Sequence, residues 1–321
     1  MGTTTFKGIS NIGENTHGEV IHANIVSYLD WAFLEAGAFF NITVGASGAF
    51  GGDRSRLRPV KDPRYADGRV WESYRKNWVW ESGLTNTSQP VSISGLFINN
   101  TFSPINSGYK IDYPNGRVIF NSAISESSNV RIGYSHKWVT IDGDGREIQK
   151  AIEQNSFRVD DSDFIIGSGS KTQLADARVQ LPAIVVEKPT TYQYEGYQLG
   201  GSQWSKQRIL FGIYAEDKQT ALKLANIISN QKDQTLFVYD SDRVMKEGAY
   251  PLKYDGSLST NPQTYPNLIK PSGDGGYLCL ERFQNGKMYV ASAEEQNIQE
   301  LNSRLFYCPV RWTVESILNK I

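Results

Sequence analysis

The stretch from residue 91 to 141 constrains the fold of this chain more than any other part of the sequence. It contains the apolar runs Ile111-Asp-Tyr113 and Val118-Ile-Phe120, joined by Pro114-Asn-Gly-Arg117, and a further run at Val130-Arg-Ile-Gly-Tyr134. Proline presets φ for a turn and Asn-Gly accepts left-handed backbone geometry, so the pattern predicts a hairpin with Ile111 and Tyr113 on one face. The whole stretch predicts roughly four or five antiparallel strands with one solvated face.

The composition also favours strands. Aromatic residues make up 12% of the 321 residues, and the chain has 29 glycines, 17 tyrosines and 7 tryptophans. These residue types fit strands and tight turns better than a helical bundle. The two cysteines, Cys279 and Cys308, are too few for a disulfide framework. They fall in segments that we predict as strands, where a free thiol behaves as a small buried side chain.

Helical patterns occur at three places. Thr16 and Glu19 have the spacing of a capping box, and the apolar residues after them recur at helical steps, which predicts a helix over residues 17–36. A second helical pattern follows Asp142-Gly-Asp-Gly145 up to about residue 155, and a third covers residues 217–230. Around these helices we expect strands at 181–187, 208–215, 235–239, 277–280, 287–291 and 304–314, with a Tyr-, Gly- and Gln-rich loop at 190–203.

The change from strand to helix periodicity near residue 141 predicts two domains. Residues 1–141 would hold the N-terminal helix, a basic and aromatic block and an antiparallel β-sandwich-like region. Residues 142–321 would form an α+β domain. The polar loop at 240–276 is long for a compact domain, so it is either an insertion with its own turns or an arm that binds a partner.

Residues 53–76 form a basic block that continues into aromatic residues. The block has eight Lys and Arg residues and four acids. Single-stranded nucleic-acid binders use this mixture, and so do protein interfaces, where Arg, Trp and Tyr anchor contacts; we favour a protein contact. Our candidate contact residues are Arg54, Arg56, Arg58, Trp71, Trp78 and Trp80, together with Tyr192, Tyr194, Tyr197 and Trp204, which we place in the 190–203 loop region and expect to be mobile. The alternative is that these aromatic residues belong to the core of their own domain.

No catalytic constellation is evident in the sequence, and we predict that the chain is not an enzyme. Its 33 basic and 34 acidic residues give a net charge of -1, which indicates no particular charged partner. The three histidines and the absence of a CxxC motif argue against a metal site, and we expect no cofactor. The most apolar long stretch, residues 20–44, contains Asp30 and Glu35, so we predict no membrane span. Paired carboxylates for glycoside hydrolysis stay open, because their separation depends on the fold.

Two segments resemble proteins of tailed bacteriophages. The strand Leu181-Pro-Ala-Ile-Val-Val-Glu187, the strand Ile209-Leu-Phe-Gly-Ile-Tyr-Ala-Glu216, the following helix and the strand Leu236-Phe-Val-Tyr239, with a helix before them, resemble the α-β-β-α-β plan of tail-terminator and related tail-completion proteins. The run Ile111-Asp-Tyr-Pro-Asn-Gly-Arg-Val-Ile-Phe120 looks like a hairpin that is common in phage neck and virion structural proteins. The extra N-terminal residues and the 240–276 loop depart from the small terminators.

This resemblance implies a structural subunit of the phage neck, as a head–tail joining, tail-terminator or collar protein. Such a subunit forms a homo-oligomeric ring, six-fold in our expectation, around a channel through which DNA passes. The implied partners are copies of the chain and neighbouring neck, connector, tail-tube or sheath proteins, with no membrane. The implied location is the virion, after assembly in the host cytoplasm. The main alternative is a carbohydrate-binding or carbohydrate-active β-rich protein, and a third hypothesis is nucleic-acid binding through the basic block.

Overall fold

The computed structural model describes residues 11–45, 53–85, 88–105, 107–145, 180–197, 201–302 and 305–319. Over these residues the fold is mixed α+β, with few helices and mostly antiparallel sheets, which confirms the predicted class. The specific tail-terminator arrangement needs the helix that we expected up to residue 155. That helix falls largely outside the described residues.

The N-terminal helix α1 (His17–Glu35) forms as predicted. The Thr16 backbone N–H donates to the Glu19 carboxylate at 2.9 Å, and the Glu19 N–H donates to Thr16 Oγ1 at 3.4 Å, so both sides of the capping box are present. The helix stops before Gly37, whose φ of 83° suits a glycine. One face of α1 is buried, including Val20, Ile21, Ile25 and Leu29.

Short strands between residues 39 and 137 build what we call the N-terminal β region. Its described strands are β1 (Phe39–Ile42), β2 (Arg58–Val60), β3 (Val70–Glu72), β4 (Gly95–Ile98), β5 (Thr101–Pro104), β6 (Tyr109–Asp112), β7 (Arg117–Phe120), β8 (Val130–Ile132) and β9 (Tyr134–Lys137). They pair in the orders β2-β3-β7-β6, β5-β4-β8 and β1-β9, with antiparallel pairing throughout.

The predicted hairpin is confirmed as β6–β7, with Ile111 opposite Val118. Ile111 and Tyr113 are both buried in the same cluster, as expected. That cluster is rich in large aromatic side chains and also holds Trp71, Trp78 and Tyr134. Beside it, the guanidinium of Arg117 lies 2.6 Å from the Glu72 carboxylate and 3.3 Å from that of Asp62.

A second, larger sheet occupies the C-terminal half, and we call it the large sheet. Its strands are β10 (Thr140–Asp142), β11 (Ala183–Val186), β12 (Thr190–Tyr197), β13 (Ser202–Ala215), β14 (Thr235–Phe237), β15 (Lys287–Glu295), β16 (Gln299–Asn302) and β17 (Leu305–Leu318). The order is β10-β11-β13-β17-β15-β14, with β12 also on β13 and β16 also on β17. All of these pairs are antiparallel except β10 with β11, and the sheet curls into a half-barrel.

Two helices cover one face of the large sheet. Helix α2 (Lys218–Ser229) forms as predicted, and its buried residues share a core with alternate residues of β13 and β17, such as Phe211 and Trp312. Ile25 of α1 belongs to the same core. Thus α1 packs on the large sheet although it lies in the first of our two predicted domains. The division at residue 141, which falls within β10, stays a prediction.

The predicted loop at 190–203 was wrong. Residues 190–197 form β12, which pairs with the first part of β13, so that Tyr192, Tyr194, Tyr197 and Trp204 lie on a hairpin of paired strands. Tyrosine, threonine and tryptophan favour strands, but the glycines and glutamines between them are typical of loops, so the segment was predicted as a loop. The strand expected at 277–280 is also absent there, because Leu278 makes only an isolated bridge with Tyr239. The predicted strands around β11, β14, β15 and β17 are confirmed.

Residues 240–276, which we call the strap, contain α3 (Ser241–Lys246) and α4 (Tyr265–Leu268). Towards its two ends, Val244 and Tyr265 pack in a small core against Trp31 of α1. In its middle, the Gly256 carbonyl accepts from the Tyr113 N–H at 3.0 Å, and Asp255 lies 2.6 Å from Lys110. These contacts favour an insertion packed across both regions over a free partner-binding arm.

Candidate interaction surfaces

The arginines at the start of the basic block lie at the surface of the N-terminal β region. Arg56 is exposed, and Arg58 is half-buried in β2. Arg54 and Arg75 approach the same ring, with their guanidinium carbons 6.0 and 4.7 Å from the centroid of Tyr74. Arginine over an aromatic ring is a common arrangement at protein contacts. These residues therefore form a cationic surface patch.

The pKa of a buried histidine, His136, is affected by the arginines of this patch. Burial, helped by the nearby charges of Arg75 and Arg54, lowers the pKa of His136 to about 4. His136 is therefore neutral near pH 7. Arg75 itself has a buried Nε atom that makes no hydrogen bond.

The structure places Trp71 and Trp78 inside the N-terminal β region, each only 1% exposed. Trp71 Nε1 donates to the Gly68 carbonyl at 3.0 Å, whereas Trp78 stacks on Tyr134 with ring centroids 4.6 Å apart. Both indoles are therefore packed and hydrogen-bonded within their own chain, which supports the core alternative for these two residues. Trp80 is half-buried against the same cluster.

The β12–β13 hairpin presents the second set of candidate residues. Tyr194 is 51% exposed, and Tyr197 and Trp204 are half-buried. The Lys206 ammonium lies 4.0 Å from the ring centroid of Trp204 and 3.2 Å from the carboxylate of Glu315. These contacts fix the indole on the sheet surface and leave part of it accessible.

Trp204 belongs to a larger surface, the face of the large sheet opposite α1 and α2, which we call the outer face. Towards the β12–β13 hairpin, the side chains on this face are half-buried or exposed. They are Trp204, Lys206, Arg208, Arg311, Thr313, Glu315 and Ile317. At the β11 end the face is covered, and Ala183, Val185 and Leu305 are buried there. The hairpin end thus combines aromatic, aliphatic and charged groups on one sheet surface.

One edge of the large sheet carries several exposed glutamates, one of which, Glu294, lies directly opposite Arg311 of β17. Strand β14 pairs with β15 only through residues 287–289, and no described strand pairs with this edge from Ser292 to Asn302. Three exposed glutamates, Glu294, Glu295 and Glu300, follow this edge, and residues 294–300 contain no Lys or Arg. We call these residues the acidic edge.

A buried charge cluster joins α1 to the N-terminal β region. Lys137 Nζ lies 2.5 Å from the Asp30 carboxylate and 2.7 Å from that of Glu81. Burial, together with the charge of Asp30, raises the pKa of Glu81 to about 7 even though Lys137 opposes this shift. Burial would lower the pKa of Lys137, but the two carboxylates raise it. This cluster is structural, because it ties two elements together across the molecule.

A cleft of about 700 Å³ lies beside α1. Its wall includes the carboxylates of Asp142 and Asp144, Lys188 and the half-exposed ring of Tyr250. His22 is also at the cleft, and its Nε2–H donates to the Val186 carbonyl at 2.8 Å. Mixed charges beside an aromatic ring suit a polar, hydroxylated ligand.

The described residues contain no group of three or more His, Cys, Asp or Glu side chains placed to hold a metal ion. Cys279 and Cys308 are buried free thiols, as predicted, although Cys279 lies outside a strand. None of the helices in the described ranges is long and apolar enough to cross a membrane.

Sequence reasoning missed the outer face and the acidic edge. The signal for the outer face was present in β17, because polar residues alternate with apolar ones from Arg311 to Glu315. The acidic edge needed the strand order, which sequence spacing does not supply.

Comparison with known proteins adds no family assignment. The chain matches no protein-family model and none of the curated proteins.

Proposed function

We propose that this chain is a structural subunit of the neck of a tailed-phage virion, a head–tail joining, tail-terminator or collar protein that assembles into a ring around the DNA channel. The observation that carries this proposal is the hairpin end of the outer face. There Trp204 and Ile317 stand on a sheet whose opposite face is already packed against α1 and α2. A second copy is the partner that such a surface fits in a ring.

The strand arrangement supports assembly by repetition. β13 and β17 are both 14 residues long, so the large sheet offers a broad and rigid surface. A contact between two different surfaces of the same chain repeats around a closed ring when its rotation closes. Sheet surfaces and sheet edges are suited to such contacts, because both are prearranged before binding. In this proposal the function is to form the ring itself, with each subunit binding its two neighbours and no chemical reaction required.

The test is the mass of the purified protein, followed by negative-stain imaging. We expect closed rings of uniform copy number. A Trp204→Glu variant should shift the population towards monomer while its circular dichroism spectrum stays unchanged, because a charge would be placed in the contact. The matched control is Tyr254→Glu, a fully exposed position on the strap. A wild-type protein that stays monomeric at every concentration would contradict the proposal.

The place in the virion needs a separate measurement. An antibody raised against the chain should label intact phage particles between head and tail. Label confined to the capsid surface or to the tail tip would contradict a neck position, even if rings form.

A carbohydrate-binding function is the second candidate, and the cleft beside α1 favours it. Two carboxylates, Asp142 and Asp144, face this cleft together with Tyr250. Aromatic rings stack on sugars and carboxylates accept hydrogen bonds from hydroxyl groups. Binding to a glycan panel that is lost in Tyr250→Ala would support this function, and a panel without any bound glycan would remove it.

A further inference from the structure

Opposite charges are segregated on this nearly neutral chain. The basic block has an excess of four positive charges, whereas residues 294–300 carry three negative charges and no positive one. Arg311 of β17 lies opposite Glu294, so Glu295 and Glu300 are the carboxylates of this edge without a basic residue opposite them. The two patches lie on different parts of the fold, on the N-terminal β region and on an edge of the large sheet. A chain with this distribution can bind a copy of itself head to tail.

We infer that the acidic edge of one copy docks on the cationic patch of the next, through ion pairs between Glu295 or Glu300 and Arg56 or Arg75. This inference rests on the proposed function and adds a charged contact between neighbouring subunits to the one at the hairpin end of the outer face. The patch is defined by Arg54, Arg56, Tyr74 and Arg75.

The charged groups involved are available for such a contact. Arg56, Glu295 and Glu300 are exposed, and no ion pair within the chain engages them in the described part of the structure; the Cys308 thiol lies 3.9 Å from the Glu295 carboxylate. The nearest acid in sequence, Asp53, already accepts from Ser55 and lies 3.9 Å from Arg131. Arg75 is half-buried over Tyr74, which restricts its guanidinium group and lowers the entropy lost on binding.

The backbone at the acidic edge favours the same arrangement. From Ser292 onwards no strand of the described residues pairs with this side of β15 and β16. Glutamates at a sheet edge discourage pairing with a neutral or acidic partner. They accept a basic partner, so the same residues exclude wrong contacts and select the cationic patch.

A carboxylate partner suits the cationic patch better than a nucleic-acid backbone. Phosphate binding needs a row of Lys and Arg that follows the strand, whereas here two guanidinium groups converge on a single aromatic ring. Such a compact Arg–Tyr group is typical of protein contacts. Overall the chain is slightly acidic, which also disfavours DNA at long range.

Charge reversal on each patch, followed by mixing, tests the inference. Arg56→Glu with Arg75→Glu makes both patches acidic, and Glu295→Lys with Glu300→Lys makes both basic. Each variant alone should self-associate at least about tenfold more weakly than the wild type, because like charges then face each other. An equimolar mixture should recover assembly as alternating rings, since each acidic patch then meets a basic one.

Matched controls separate this effect from a change in net charge. Lys253→Glu with Lys270→Glu alters exposed lysines on the strap by the same amount as the arginine variant. This control should assemble like the wild type. Assembly of the wild type should also weaken as salt rises from about 0.05 to about 0.5 M, because exposed ion pairs are screened.

The outcomes distinguish this inference from the proposed function. If the wild type forms rings and both reversed variants form them equally well, the inference is wrong. The glutamates then only prevent unwanted pairing at the sheet edge, and the ring proposal stands. Reversed variants that weaken but fail to recover on mixing also overturn the inference, because the two patches then do not meet. A monomeric wild type contradicts the proposed function itself. Binding of single-stranded DNA that only the arginine variant loses would assign the patch to nucleic acid.

Discussion

The N-terminal β region and the large sheet are stabilised in different ways. In the N-terminal β region the strands are three or four residues long, and the core contains Trp71 and Trp78, whose N–H groups are hydrogen-bonded. The large sheet has 14-residue strands, and its core is mainly aliphatic, with Phe211 and Trp312 in contact. Short strands bury little continuous apolar area, so hydrogen-bonded polar groups such as the indole N–H help to fix their register. In long strands the register is fixed by the alternation of buried and exposed side chains.

The two regions also differ in whether their buried polar groups are charged. The buried ion pair of Arg117 and Glu72 lies in the N-terminal β region, and the Lys137 cluster joins that region to α1. In the large sheet the buried polar residues include Ser205 and Gln207, which are neutral. Hence we expect the N-terminal β region to respond to charge substitutions and to pH, and the large sheet to respond to changes of side-chain volume.

The largest effect is expected from Trp312→Ala. This indole is fully buried, its ring centroid lies 4.6 Å from that of Phe211, and its Nε1 donates to the Ile228 carbonyl at 3.1 Å. Truncation leaves a cavity between the sheet and α2, and should lower the free energy of unfolding by about 3–5 kcal/mol. Urea denaturation followed by circular dichroism measures it. Trp312→Phe is the control and should lose much less; equal losses would show that volume is not decisive in this core.

A slightly smaller effect is expected from Arg117→Met. The substitution removes the guanidinium beside Glu72, a carboxylate that is 1% exposed, and should cost about 3 kcal/mol, because a buried charge loses its partner. The matched control is Arg64→Met. Arg64 contacts the same Asp62, but its side chain is 60% exposed, so the loss should stay below about 1 kcal/mol. Chemical denaturation of both variants would test this, and similar losses would count against charge as the distinguishing feature of this region.

The smallest effect is a pH dependence at Glu81. The fold raises the pKa of this group from its ordinary 4.5 to about 7, so the folded chain holds the proton more tightly than the unfolded chain. Its contribution therefore favours folding below about pH 4.5 and is lost as pH rises through about 7. Glu81→Gln mimics the protonated form and should gain stability relative to wild type between about pH 5 and 8, on the order of 1 kcal/mol.

Denaturation curves of both proteins at several pH values would measure this difference. Glu281→Gln, at an exposed position, serves as the control and should follow the wild-type profile. Parallel profiles for Glu81→Gln and wild type would mean that Glu81 is ionised throughout.

The elements that sequence analysis predicted correctly are those whose signal is local. Helix α1 follows from Thr16, Glu19 and the apolar stripe, and the β6–β7 hairpin follows from its Pro-Asn-Gly turn. Strands β2 and β3 are three residues long, and β3 also pairs with β7, which lies far along the chain. A sequence window of a few residues does not contain that information.

The candidate surfaces were predictable only in part. Arg56 and Tyr194 are exposed as a contact role requires, whereas Trp71 and Trp78 are buried. Tryptophan serves both roles, because it has a large apolar ring and one polar N–H. The carboxylates of Asp30 and Glu81 meet on Lys137 only after folding, so no spacing in the sequence could show their cluster.

The central claim is that the hairpin end of the outer face is covered by a second copy when the protein assembles. Hydroxyl-radical footprinting with mass spectrometry, on dilute and on concentrated protein, tests it most directly. The account predicts that Trp204 and Ile317 lose reactivity on assembly, while the fully exposed Tyr254 reacts equally in both samples. Rings in which Trp204 and Ile317 stay as reactive as in the dilute protein would contradict the claim.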